Sequence, residues 1–152
     1  MIPDVTNDDS RIIVIDTLSS YESTKKVLND FIMMFSEKPI KTIIYTQTNS
    51  EPLLGTAAFV EEDDGSVEII TSEDVNSHFN DSDNTDVIPT HIFESTFSLN
   101  VSDVKINLVA SHGEFSDQMY ISLPDDDGLL IGDSVYGVTP YVLQMKYLQF
   151  FD

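Results

Sequence analysis

Apolar and polar positions alternate along this chain with two different periods, and the switch between them outlines the elements. Residues Arg11 to Ile15 form a continuous β-branched run, the pattern of a strand buried on both faces. The next segment places Tyr21, Leu28, Phe31, Ile32 and Phe35 at helical spacing, with Lys25, Lys26, Asn29 and Asp30 largely opposite. Ser19 and Glu22 fit a capping box at its start, and Pro39 stops it. The spacing predicts a principal helix over about residues 20–36. After it the period falls to two. Ile40–Gln47 reads as a strand, and Leu53–Val60 with Ser66–Ile70 reads as a hairpin over 53–70, turning at Gly65. Thr71–Phe79 reads as one or two helical turns capped by Thr71 or Ser72.

Strand patterns dominate the remainder. Thr90–Leu99 and Val104–Ala110 alternate and are joined near Asn100–Asp103, and Gln118–Leu123 alternates again before a turn at Asp125–Gly128. Tyr141–Phe151 fits either a strand or an amphipathic helix, with its aromatics favouring strand. The expected fold is α+β: a mainly antiparallel sheet, or two, with the helix at about 20–36 packed on a face. Residues 1–10 read as a polar arm and 11–152 as a single domain. A parallel doubly wound arrangement is not expected, because helices do not alternate with the later strands.

Charge changes the picture most. The 152 residues carry 27 Asp and Glu against 7 Lys and Arg, a formal net charge of −20. Such a surface repels phosphate backbones and anionic lipid and attracts basic partners or cations. Asp predominates over Glu, and Asp favours turns and caps. The acids cluster where loops are expected, at Asp8–Asp9, Glu61–Asp64, Asp81–Asp86 and Asp125–Asp127. With no Cys there is no disulfide framework, thiolate metal site or Cys nucleophile. No apolar run is long enough to span a bilayer and the N-terminus is acidic, which predicts a cytoplasmic or, if viral, virion location without a membrane.

Candidate chemistry is sparse. Ser111-His112-Gly113-Glu114 could form an acid/base pair, although a strand end entering a turn explains it more simply. Asp81–Asp86 is similar to a calcium loop but has neither the sixth-position Gly nor the twelfth-position Glu, where Ile92 stands. Gly128, Gly132 and Gly137 match neither a dinucleotide fingerprint nor a P-loop. Met33, Met34 and Phe35, like Phe150 and Phe151, read as core or subunit contact. Lys25-Lys26 is the one adjacent basic pair. The sequence therefore nominates no catalytic, cofactor-binding or metal-ligating residue and no cofactor.

Three functions remain, in order. The first is a non-enzymatic structural or assembly subunit, such as a component of a virion or phage particle. Its partners would be protein subunits offering a basic patch, with no direct nucleic-acid contact. The second is an acidic inhibitor imitating nucleic acid, disfavoured because the acids gather at turns. The third is an enzyme built from carboxylates without a sequence motif.

Overall fold

The computed structural model describes residues 12–18, 20–34, 39–47, 55–60, 66–79, 88–101, 104–111 and 118–131, the side chains of 78 and 79 excepted. These residues form two four-stranded sheets. The first is entirely parallel: β1 (Ile12–Ile15), β2 (Ile40–Ile44), β3 (Glu68–Ser72) and β4 (His91–Phe93) lie side by side in chain order. The second is antiparallel: β5 (Thr96–Val101), β6 (Val104–Ser111), β7 (Gln118–Leu123) and β8 (Gly128–Leu130). Helices α1 (Tyr21–Met34), α2 (Ala57–Val60) and α3 (Glu73–Phe79) occupy the crossovers of the parallel sheet.

The mainly antiparallel expectation is thus incorrect for the first half of the chain. Two local patterns account for the difference. Residues 53–70 are not a hairpin, because Ala57–Val60 is helical and Glu68–Ser72 pairs parallel to β2 through Thr42↔Glu68 and Ile44↔Ile70. A four-residue apolar run shows no period that separates a helical turn from a strand. Thr90–Leu99 is two strands rather than one. The chain leaves the parallel sheet after Phe93, passes Glu94 and Ser95, and enters the antiparallel sheet at Thr96.

The two sheets pack face to face. Ile44, Ile70 and Phe93 from the parallel sheet join Leu99, Ile106, Leu108, Met119 and Ile121 from the antiparallel sheet in one buried cluster. The opposite face of the parallel sheet buries Ile43, Tyr45 and Ile69 with Val67 and Val75, and Phe59 and Val60 of α2 close over it. Neighbours in sequence, Ile43 with Ile44 and Ile69 with Ile70, therefore enter different cores. That is why Ile12–Ile15 and the pairs Ile43-Ile44 and Ile69-Ile70 read as consecutive β-branched residues: a parallel sheet covered on both sides has no polar face to alternate with. In the antiparallel sheet one face is solvated, and the expected alternation is present. Ile106 and Leu108 are buried, while Lys105 is exposed and Asn107 half-buried.

The principal helix is where its spacing placed it, with one change at the start. Ser20 rather than Ser19 is the cap, since Ser20 Oγ accepts the Ser23 N–H at 3.2 Å. Ser72 caps α3 by accepting the Val75 N–H at 3.4 Å. Met33 and Met34 are 84% and 69% exposed, so they are not core. Asp125 and Asp126 lie in an exposed 3₁₀ turn, and Asp127 takes the left-handed conformation that reverses the chain into β8. Among the described residues no helix is long and apolar enough to cross a membrane.

Candidate active site

Ligands of open parallel sheets gather outside the carboxyl ends of the strands. Here β1 and β2 end side by side, and β1 runs directly into Asp16 and Thr17 as β2 runs into Tyr45, Thr46 and Gln47. Asp16 has φ 53°, a conformation that few residues other than Gly adopt. The turn aims its carboxylate across at β2. Asp16 Oδ1 accepts the Thr46 N–H at 2.9 Å, and Oδ2 accepts the Thr46 hydroxyl at 2.6 Å. The Asp16 N–H in turn donates to the Ile44 carbonyl at 2.9 Å. Charge-assisted bonds of this kind are about twice as strong as neutral ones, and they hold the non-glycine left-handed residue in place.

Beside this carboxylate runs a chain of hydroxyls. Tyr45 Oη donates to Thr56 Oγ1 at 2.8 Å. Thr56 Oγ1 lies 3.3 Å from Thr17 Oγ1. Thr56 can accept from Tyr45 and still either donate to Thr17 or accept from it, since a hydroxyl has one hydrogen and two lone pairs. Tyr45 is fully buried. Burial pushes its phenol far above the ordinary 10.0; the bond to Thr56 opposes the shift and the Asp16 charge adds to it. Tyr45 therefore stays a neutral donor. A raised folded-state value means that its contribution to stability is complete below pH 10.0. That contribution is lost as pH rises from there through the folded-state value. Tyr45→Phe is expected to cost ~0.5–1.5 kcal/mol at neutral pH. It should also flatten the fall in urea midpoint above pH 10.0, a fall that the unaltered chain retains.

From this polar corner a cavity of about 490 Å³ extends between β1 and α1. Its body is apolar, walled by Ile13, Ile15, Val27, Leu28, Ile40 and Phe59, and Asp16, Thr17 and Thr24 are its polar residues. Thr24 sits in the first turn of α1. It is 2% exposed, and its hydroxyl has no hydrogen-bond partner. The opposite side of Thr24 is closed by Gly55. A Cβ built there would stand 1.9 Å from Thr24 Oγ1 and 2.7 Å from the Leu18 carbonyl oxygen. Gly55 is thus the residue that lets the α2 turn approach the start of α1.

The tetrapeptide at 111–114 is not part of what can be placed, since His112, Gly113 and Glu114 lie outside the described residues, as do Asp81–Asp86, Glu61–Asp64 and Tyr141–Phe151. Of the histidines, His91 is on β4, with its ring 4.4 Å from that of Phe97 and Nδ1 3.8 Å from Glu68 Oε1. It plays no part in the corner formed by Asp16. None of Asp16, Thr17, Thr24, Tyr45, Thr46 or Thr56 stands out in the sequence as a candidate. Asp16 carries one usable signal, an acid placed immediately after a continuous run of β-branched residues.

The chain matches no protein-family model. It is similar to the linear primary-alkylsulfatase of Pseudomonas sp. (strain ATCC 19151), with 24% identity over 184 aligned residues, covering 93% of this chain and 35% of that protein. Among solved structures it is similar to a metallo-β-lactamase from Pontibacter korlensis (TM-score 0.68, 19% identity, 82% of this chain and 55% of that one). It is also similar to Pisa1, a stereoselective inverting sec-alkylsulfatase from Pseudomonas sp. (TM-score 0.65, 16% identity, 78% of this chain and 26% of that one). The chain thus spans about a third of the curated relative and a quarter to about half of these structures.

These likenesses overturn the functional ranking drawn from sequence. A virion or assembly subunit and a nucleic-acid mimic are both displaced, because the similar proteins are sulfatases and metallo-β-lactamases, and they point to a hydrolytic enzyme. The expectation of a non-enzymatic protein fails with them. It rested on a scarcity of motifs, and the polar corner is assembled from residues up to 39 positions apart in sequence, such as Thr17 and Thr56.

A fold named for its metal raises the question of ligands. Protein zinc sites take three or four His, Cys or carboxylate ligands. Among the described residues no group of three such side chains could hold a metal ion. Asp16 is the carboxylate at the ends of β1 and β2, and both its oxygens already accept hydrogen bonds from Thr46. The surrounding groups are hydroxyls and amides, so the described donor set does not fit a transition metal. The strand directions, the facing sheets and the outer helices nevertheless agree with the structural likenesses, and the described part of the chain has the metallo-β-lactamase fold, an α/β sandwich.

Proposed function

We propose that this chain is a hydrolase that cleaves esters of linear alkyl chains, alkyl sulfates being the class suggested by the likeness to the alkylsulfatases. One observation carries this reading: the apolar cavity between β1 and α1 ends on a fixed carboxylate and on two threonines, Thr17 and Thr24. A volume of about 490 Å³ lies in the ~300–1,000 Å³ range of ligand pockets. Greasy along its length and polar at one end, the cavity has the chemistry of an amphiphile.

The roles follow from position. Alkyl methylenes replace water against Ile13, Ile15, Val27 and Leu28, at ~0.8 kcal/mol for each methylene buried. The ester group then lies at the polar end, beside the first turn of α1. The partial positive charge of a helix start favours an anionic head there, despite the acidity of the chain as a whole. Asp16, oriented by Thr46, accepts a proton from water as that water's oxygen bonds to sulfur and the sulfur–oxygen bond to the alkyl group breaks. The leaving alkoxide takes a proton from the hydroxyl chain at Thr17, which Thr56 and Tyr45 polarise and solvent replenishes. The products are an alcohol and hydrogen sulfate.

Leu28→Trp tests the alkyl site. Leu28 is a half-buried wall residue on α1, and an indole at that position takes up part of the space for the alkyl chain. The variant should fold normally by circular dichroism and raise KM for octyl sulfate by ~10-fold or more, equivalent to two or more unburied methylenes, while ethyl sulfate is unaffected. Equal KM values for octyl sulfate in both proteins would remove the cavity from the account.

A further inference from the structure

We infer that the corner at the carboxyl ends of β1 and β2 works without a transition-metal ion, its place being taken by the Asp16 carboxylate and the Tyr45–Thr56–Thr17 hydroxyl chain. The inference deepens the proposed hydrolase activity and rests on it for the identity of the substrate.

Three observations converge. The first is the donor set. Ionised or imidazole ligands are what hold a divalent transition metal, and among the described residues the groups at this corner are threonine hydroxyls, the Tyr45 phenol, the Gln47 amide and one carboxylate. The second is the commitment of that carboxylate. Its oxygens are held by the Thr46 N–H at 2.9 Å and the Thr46 hydroxyl at 2.6 Å, and Asp16 by itself would supply one of the three or four ligands that a zinc site takes. The third is sequence. Residues 48–54, which follow Gln47 in sequence, read Thr-Asn-Ser-Glu-Pro-Leu-Leu, with one acid and no His or Cys. Among the described side chains the one histidine, His91, is on β4 against Phe97 and Glu68, away from the corner.

What remains is a proton-transfer and hydrogen-bonding site. A positioned base and a polarised donor can each supply ~10²–10⁴-fold in rate, so chemistry without a metal is slow but measurable. The chain should accordingly bind its amphiphile in the presence of chelator and show no metal requirement.

The test uses the full 152-residue chain, purified without chelator. Metal content is measured by inductively coupled plasma mass spectrometry, zinc binding by calorimetry, and octyl sulfate binding and hydrolysis with and without EDTA. The expected result is substoichiometric metal, no zinc binding tighter than ~1 μM, and octyl sulfate binding unchanged by EDTA. Weak zinc binding that Asp16→Asn leaves unaltered belongs to the acidic surface and agrees with this result. Stoichiometric zinc bound tighter than ~1 μM and lost in Asp16→Asn overturns the inference. Octyl sulfate bound without EDTA sensitivity but never hydrolysed overturns the proposed activity and leaves the metal-free site standing, so the two failures are separable.

Discussion

Asp16→Asn should lower the rate of octyl sulfate hydrolysis by ~10²–10⁴-fold while the chain stays folded. The change removes one charge and keeps the shape. Asn tolerates the left-handed conformation at φ 53° better than other residues lacking the glycine freedom, so the turn after β1 survives. The amide oxygen can still accept one bond from Thr46, at a loss of ~1–2 kcal/mol in stability as a charge-assisted pair becomes a neutral one. What cannot survive is proton acceptance, because an amide is no base near neutral pH. The effect should fall on kcat and leave KM within about threefold, since Asp16 is not part of the apolar wall. A companion change, Thr46→Val, keeps the backbone N–H on Oδ1 and deletes the hydroxyl on Oδ2. It loosens the carboxylate rather than abolishing it, and an intermediate fall in kcat is expected. Equal activity in Asp16→Asn and the unaltered chain would assign the chemistry elsewhere.

Gly55→Ala should be the most destabilising single-methyl change among the described glycines. The new Cβ meets Thr24 Oγ1 at 1.9 Å, Thr24 Cβ at 2.9 Å and the Leu18 carbonyl oxygen at 2.7 Å. A threonine buried to 2% has no alternative space, and a main-chain carbonyl cannot swing aside. Overpacking of this kind costs ~1–3 kcal/mol, which for a chain of this length lowers Tm by ~2–12 °C. By contrast, Gly128 would place a Cβ 3.1 Å from the Leu123 side chain, which can shift. The double change Gly55→Ala with Thr24→Ala separates the causes. It removes the clash with Thr24 Oγ1 but not the one with the Leu18 carbonyl, so stability should return only in part, and the two changes should be non-additive. Urea denaturation of the four proteins measures this directly. Full stability in Gly55→Ala would mean that α1 and α2 do not meet as described.

The legible and illegible parts of this fold divide by range. The helix Tyr21–Met34 is readable because its apolar spacing repeats over several turns, and only its cap is displaced by one residue. β6 and β7 are readable because one side of each is wet, so Ile106 and Leu108 alternate with polar neighbours. The β-branched run at β1 and the strand at β2 are also visible, but not their mutual direction. Parallel pairing through Ile13↔Thr42 and Ile15↔Ile44 needs a crossover, and the next crossover contains a helix of only four residues. Too few positions lie there to show a period. β4 and β5 merge into one apparent strand because Phe93 and Phe97 have the same parity, although they lie in different sheets and their rings meet at 6.0 Å across the interface.

The candidate site is invisible in sequence for a related reason. Asp16 bonds Thr46, 30 residues away, and Tyr45 reaches Thr17 through Thr56. No short motif contains any of these pairs. Among the described residues the conspicuous acidic cluster Asp125–Asp127 is exposed at a turn, in keeping with a solvated hairpin tip. The acid assigned to chemistry stands alone, half-buried, at the end of an apolar strand. Composition therefore describes the surface correctly and misleads about function, because a carboxylate's role depends on what is folded against it.

The most direct measurement is sulfate release from a homologous series of linear alkyl sulfates, from ethyl to decyl, at concentrations below micelle formation. If the cavity beside Asp16 holds the alkyl chain during hydrolysis, kcat/KM rises by ~4-fold for each added methylene and levels off when the cavity is full. Sulfate release that is absent, or that does not vary with chain length, would contradict the account.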